Sequence, residues 1–178
     1  MFPYKLQQRR GFTLVEILTV VVILGIASAI IIPQLGSRSD LIASSASRTL
    51  MADLIYAQNR AISLQKPHYI EFNGQTYTIS TRDATGSPRY TITNPVTLDP
   101  YVVTFNATGT PLADAQIASS DFAGKTMMGF DELGSPFSYD KASDTATSMT
   151  GSGTVTISSV AINLSVQVEP YTGELTVQ

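Results

Sequence analysis

Few side chains in this sequence are equipped for chemistry, and one of those few stands where a charge is costly. The 178 residues contain no cysteine and a single histidine, His68, which removes thiol nucleophiles, disulfides and Cys/His metal centres. His68 follows Pro67 at the start of a strand-like stretch, and there it reads as a surface or edge residue rather than as a base or ligand. Asp131-Glu132 and Asp140 with Asp144 offer carboxylate oxygens, but Ca²⁺ takes roughly six to eight and neither group has EF-hand spacing. They read as solvated loop charges, so no catalytic residue, metal or other cofactor is assigned. The remaining acid of interest is Glu16.

Glu16 is the one ionisable residue between Phe12 and Leu35. As a helix those 24 positions would extend about 36 Å at about 1.5 Å per residue, enough for a hydrocarbon core of about 30 Å. A carboxylate inside such a span costs on the order of 2.5–3.5 kcal/mol even on lenient insertion scales. Some partner must offset that cost.

The stretch Arg9-Arg10-Gly11-Phe12-Thr13-Leu14-Val15-Glu16 resembles the prepilin leader of the type IV pilin and type II secretion pseudopilin superfamily. The resemblance implies that a membrane peptidase cuts between Gly11 and Phe12, that Phe12 becomes the N-methylated first residue of the mature chain, and that Glu16 becomes its fifth. It also implies that Pro33 marks a helix kink found in many pilins. Cleavage there would expose an α-amine that is cationic at neutral pH. Glu16 lies four positions on, on the same helix face, or it would neutralise the amine of a neighbouring subunit and so set register during assembly. Removing both charges from lipid as a pair is far cheaper than burying either alone.

Three other readings share parts of this pattern. A basic start, an apolar run and Ala27-Ser28-Ala29 outline a secretory signal peptide, but Glu16 would interrupt its apolar region and the run continues through Ile30, Ile31 and Ile32. The arginine pair touches the twin-arginine export pattern, with the same objection. A plain signal-anchor helix with an incidental glutamate is the third.

Composition limits the rest. The net charge is −3, from 11 basic and 14 acidic residues. Losing Lys5, Arg9 and Arg10 with the leader leaves eight basic residues, hence −6, which is no balance for binding nucleic acid. The basic residues before the apolar run place the N-terminus in the cytoplasm and the rest of the chain outside it, by the positive-inside rule. The organisation expected is a leader at 1–11, a transmembrane or filament-core helix at 12–35, its amphipathic continuation at 36–65, and one extracytoplasmic β-rich domain at 66–178.

The elements that carry this organisation can be read from periodicity. Leu50, Leu54, Ala57, Ala61 and Leu64 form a helical stripe, widened by Met51, Ile55 and Ile62, so one helix is expected from about Thr13 to Leu64. Past Pro67 the pattern alternates. His68–Phe72 and Thr76–Ser80 flank Asn73-Gly74, which suits a type I′ hairpin. Arg89–Thr93, Val96–Leu98, Tyr101–Phe105, Thr126–Phe130, Thr154–Ser158, Ala161–Val168 and Leu175–Val177 read as further strands. Tyr139–Gly153 is poor in apolar residues and reads as an exposed loop.

The fold expected is α+β and pilin-like: a long N-terminal helix, half for the membrane and half amphipathic, packed on an antiparallel strand-rich domain. Together with the terminal hairpin Val166–Leu175, this resembles the H-type minor pseudopilins of type II secretion and related minor type IV pilins. That resemblance implies an inner-membrane structural subunit rather than an enzyme. Its partners would be a prepilin peptidase, other pseudopilins or pilins through the N-terminal helix, inner-membrane lipid and exported protein. Two alternatives remain: a minor type IV pilin for pilus assembly, adhesion or DNA uptake, and a membrane-anchored binding domain that never polymerises.

Overall fold

The computed structural model describes residues 11–31, 38–84, 87–160 and 162–178. It divides into two compact units, one holding helix α1 (Leu14–Ile31), the other helix α2 (Arg38–Leu64) and every strand. The single helix expected from Thr13 to Leu64 is thus described as two, and Pro33 lies outside the described residues. The amphipathic segment packs on the strands, as expected, and its apolar face is part of that unit's core.

Helix α2 buries Ala43, Ala46, Leu50, Leu54, Ala57 and Ala61, a run at three- and four-residue spacing that keeps one face inward. Four of these six are alanines, which lets sheet side chains approach the helix axis closely. The stripe is narrower than expected: Ile55, Ile62 and Leu64 are exposed. The helix ends at Leu64 because Gln65 takes a left-handed conformation (φ 50°), the usual helix stop, and Pro67 follows.

The strands are β1 (His68–Asn73), β2 (Thr76–Thr81), β3 (Tyr90–Thr91), β4 (Val102–Thr104), β5 (Gln116–Asp121), β6 (Met127–Phe130), β7 (Pro136–Asp140), β8 (Thr145–Ser148), β9 (Gly153–Ser158), β10 (Asn163–Val168) and β11 (Leu175–Val177). They form two antiparallel sheets. The larger runs β3-β2-β1-β6-β7-β8, with β4 also paired to β2; the smaller runs β11-β10-β9-β5. Ile70, Phe72, Tyr77, Ile79, Met128 and Phe130 from the larger sheet share one core with Val155, Ile157, Val166 and Val168 from the smaller, and α2 closes it. A second cluster, Tyr69, Met127, Phe137 and Tyr139, covers the opposite face of the larger sheet.

Several local expectations change. The β1–β2 turn is Gly74-Gln75, with Asn73 still paired to Thr76, and only Gly74 has positive φ (58°); that is the pattern of a type II′ turn rather than I′. Val96–Leu98 is no strand but the exposed tip of a loop, with Val96 and Leu98 both exposed. Tyr139–Gly153 is no loop: it holds the end of β7, all of β8 and the start of β9, with Tyr139 fully buried.

Helix α2 is also tied to the larger sheet by a carboxylate. Asp53 accepts hydrogen bonds from Tyr77 Oη at 2.5 Å and Tyr101 Oη at 2.9 Å. Burial raises its pKa, and the two hydroxyl donors oppose that rise without cancelling it. A carboxylate raised on folding contributes stability that is complete below its unfolded value of about 3.9 and is lost as pH climbs through the folded value. The stability of wild type relative to Asp53→Asn should therefore fall as pH rises above about 3.9, measured by thermal unfolding of both proteins at acidic and at neutral pH. A difference that grows with pH would contradict this assignment.

Candidate functional site

The first described residues set up a helix start. Thr13 is the N-cap of α1: its Oγ1 accepts the Glu16 N–H at 3.2 Å, and its carbonyl accepts the Glu16 and Ile17 N–H groups at 3.1 and 3.2 Å. Thr13-x-x-Glu16 is the spacing of a capping box, a signal legible in the sequence that the reading of Glu16 as a misplaced charge left aside. Glu16 thus stands in the first turn of α1, where the positive end of the helix dipole favours an anion. Gly11, Phe12 and Glu16 are all exposed, so the peptide bond after Gly11 and the carboxylate are both reachable from outside the unit.

The rest of α1 is apolar on every side. Leu14, Val15, Ile17, Leu18, Val21 and Leu24 are each exposed by 60% or more except Ile17 at 51%, and such a helix is stable when something apolar surrounds it. No helix among the described residues is long and apolar enough to cross a membrane. Over its 18 residues α1 reaches about 27 Å beside a hydrocarbon core of about 30 Å. The apolar sequence goes on through Ile32, outside the described residues, so the segment expected at 12–35 is described only in part.

The other chemistry-bearing residues are occupied elsewhere. His68 is not at an edge. It is fully buried on β1, between β2 and β6, and its Nδ1–H donates to the Lys66 carbonyl at 2.9 Å. Burial depresses its pKa, with Arg60 and Lys66 adding to the effect against the opposing carbonyl bond, so the ring stays neutral. Asp144 accepts from Arg82 at 3.1 and 3.2 Å and from the Tyr139 hydroxyl. Asp140 takes Lys125 at 2.6 Å, and Asp131 Oδ1 accepts the Leu133 and Ser135 amides at 2.9 and 2.7 Å. Asp131, Asp140 and Asp144 are therefore taken up in ion pairs and turns, and no group of three or more metal-ligating side chains occurs among the described residues.

A feature that sequence reading missed lies on the outer face of the larger sheet. The Arg82 guanidinium sits 5.2 Å from the Tyr69 ring and 5.8 Å from Tyr139, while Arg89 lies 5.4 and 4.5 Å from the same two rings. Two cations bracket two aromatic rings, with Asp144 balancing one charge. The residues are scattered from Tyr69 to Asp144, and no local motif announces them.

Residues 6–32 match the family model described as the prokaryotic N-terminal methylation motif. The chain is also similar to the type II secretion system core protein G of Pseudomonas aeruginosa, with 59% identity over 34 residues, 19% of this chain and 24% of that protein. The chain thus spans about a quarter of the relative it matches. No solved structure matches it.

Proposed function

We infer, from an N-terminal segment that makes this a type IV pilin-like chain, that it is a minor pseudopilin, a structural subunit of the periplasmic filament that serves type II secretion. The observation that carries this reading is an acid in the first turn of an otherwise apolar helix, inside the segment that matches the methylation motif. The precursor waits in the inner membrane with its N-terminus in the cytoplasm. Prepilin peptidase cuts between Gly11 and Phe12, and the new Phe12 amine is methylated. The work is then mechanical: α1 moves from lipid into a core of packed helices, where Glu16 neutralises the Phe12 amine of a neighbour. The strand-rich unit faces outward toward other subunits or exported protein. Nothing in this sequence of events needs a catalytic group in this chain.

Pro33, which the sequence places within the same apolar run, is proposed to kink the N-terminal helical segment, as packing in a filament requires. The organisation into leader, membrane segment and extracytoplasmic domain is part of the same proposal.

N-terminal sequencing of protein extracted from native membranes should read from Phe12, as a methylated residue, and an intact Met1 start in a host with the peptidase would remove the basis of this reading. Deletion of the gene should strand folded exoproteins in the periplasm. Normal export with lost twitching or transformation would favour a minor type IV pilin. Absence of helix-to-helix crosslinks between neighbouring subunits in native membranes would favour a monomeric binding domain.

A further inference from the structure

Free strand edges invite pairing, and folded proteins normally blunt them. Three of the edges here are blunted. The outer edge of β5 is plugged by a side chain: Gln75 Oε1 accepts the Ile117 N–H at 2.8 Å and Gln75 Nε2 donates to the Ile117 carbonyl at 3.1 Å. The same strand carries a bulge between Ile117 and Ser119. On the far side of the larger sheet, β3 has two residues and β4 three, and β11 at the end of the smaller sheet has three.

Strand β8 has none of these devices. Its residues Thr145, Ala146, Thr147 and Ser148 are all exposed, paired to β7 without a register shift, and include no charge and no proline. The Thr147 carbonyl accepts the Ser138 hydroxyl at 3.2 Å, so the Thr147 backbone turns toward β7. Antiparallel alternation then points the backbone groups of Ala146 and Ser148 away from the sheet. No hydrogen bond from another element reaches them among the described residues. Beside this edge lies a depression whose walls include Ala146, Ser148, Phe137, Arg82, Asp131 and Glu132. Arg82 is held by Asp144 and Asp131 by its own turn, whereas the Glu132 carboxylate has no side-chain or backbone donor among the described residues.

We propose that β8 is a docking edge for an extended segment of a partner protein, which adds as a further strand and sets a Lys or Arg against Glu132. The unpaired amides of Ala146 and Ser148 call for a strand backbone, since only alternating N–H and C=O groups match them. The unanswered Glu132 calls for a cation. A second copy of this chain is the poorer occupant, because its own β8 carries no basic residue and the neighbouring Lys141 is already paired with Glu71 at 2.6 Å. The proposal does not depend on whether the chain serves secretion or a pilus.

The test uses the full chain, isotope-labelled in detergent, and a capped peptide Val-Thr-Val-Lys-Val-Thr-Val. Binding should slow amide exchange at Ala146 and Ser148 at least tenfold. Ala146→Pro removes an outward N–H without touching the β7 ladder and should abolish binding. Glu132→Gln should weaken the Lys peptide at least fivefold while leaving a Lys-to-Gln peptide unchanged. As a control that needs no altered protein, the peptide N-methylated on alternate amides should fail to bind. Protection at β5 or β11 instead of β8, or N-methylated peptide binding as well as the parent, would overturn the proposal. So would concentration-dependent protection of Ala146 and Ser148 without peptide, which would assign the edge to a second copy.

Discussion

Replacing Glu16 with valine should leave the chain inserted in the membrane, processed after Gly11, and excluded from filaments. Insertion should improve, because the substitution removes a charge that costs on the order of 2.5–3.5 kcal/mol within the hydrocarbon region. Assembly should fail because the methylated Phe12 amine of a neighbour would then be buried alone. Breaking one partner of a buried pair costs about 3–5 kcal/mol, more than a hundredfold in incorporation, read as the ratio of filament-bound to membrane-bound subunit. The structure also gives Glu16 a local neighbourhood, the Thr13 cap, and the two roles can be separated. Thr13→Ala removes the cap oxygen and should cost about 1 kcal/mol of helix stability while incorporation stays within a few-fold of wild type. Wild-type incorporation of the valine variant would show that Glu16 is a capping-box residue and nothing more.

The second large effect lies far from the N-terminus. Gly129→Ala should destabilise the strand-rich unit severely, although it adds one methyl group. A Cβ at that position would stand 2.4 Å from Phe137 Cζ and 2.6 Å from the His68 carbonyl oxygen. The ring is held edge-on against Tyr69, centroids 5.5 Å apart, and the carbonyl belongs to the neighbouring strand, so neither gives way without loss of packing or of the β1–β6 ladder. Overpacking of this kind costs about 1–3 kcal/mol and occasionally more; we expect the upper end, a fall of roughly 10 °C in Tm for a unit of this size. Phe137→Ala in the same chain should recover part of the loss, because it removes one of the two collisions, and the non-additivity measures their coupling. Thermal unfolding of the two single variants and the double variant checks this, and near-native stability of Gly129→Ala would be incompatible with the close approach of these strands.

Local signals were enough for the features that depend on neighbouring positions. An uninterrupted apolar run with one acid behind Arg9-Arg10-Gly11 is visible without a fold, because the pattern is carried by consecutive residues. The same holds for the α2 stripe at Leu50, Leu54, Ala57 and Ala61, whose helical period is a property of adjacent turns, and for the antiparallel character of the chain beyond Pro67. The α+β class therefore needed no coordinates. Even the capping box at Thr13 and Glu16 was written in the spacing.

The tertiary structure decided whatever depends on partners distant in the chain. Strand β8 carries no apolar alternation, and β7 opens on Pro136, yet both are strands, because hydrogen bonding to Met127–Phe130 and its neighbours builds a sheet that their own residues do not advertise. His68 became a core residue only because β6, some 60 positions later, pairs along its other side. Ile55 and Ile62 extend the apolar count of α2 but stay exposed, since the two sheets reach around a limited arc of the helix. Periodicity tells which residues lie on a common face; only packing tells how wide a face is covered, and which strand edges remain open.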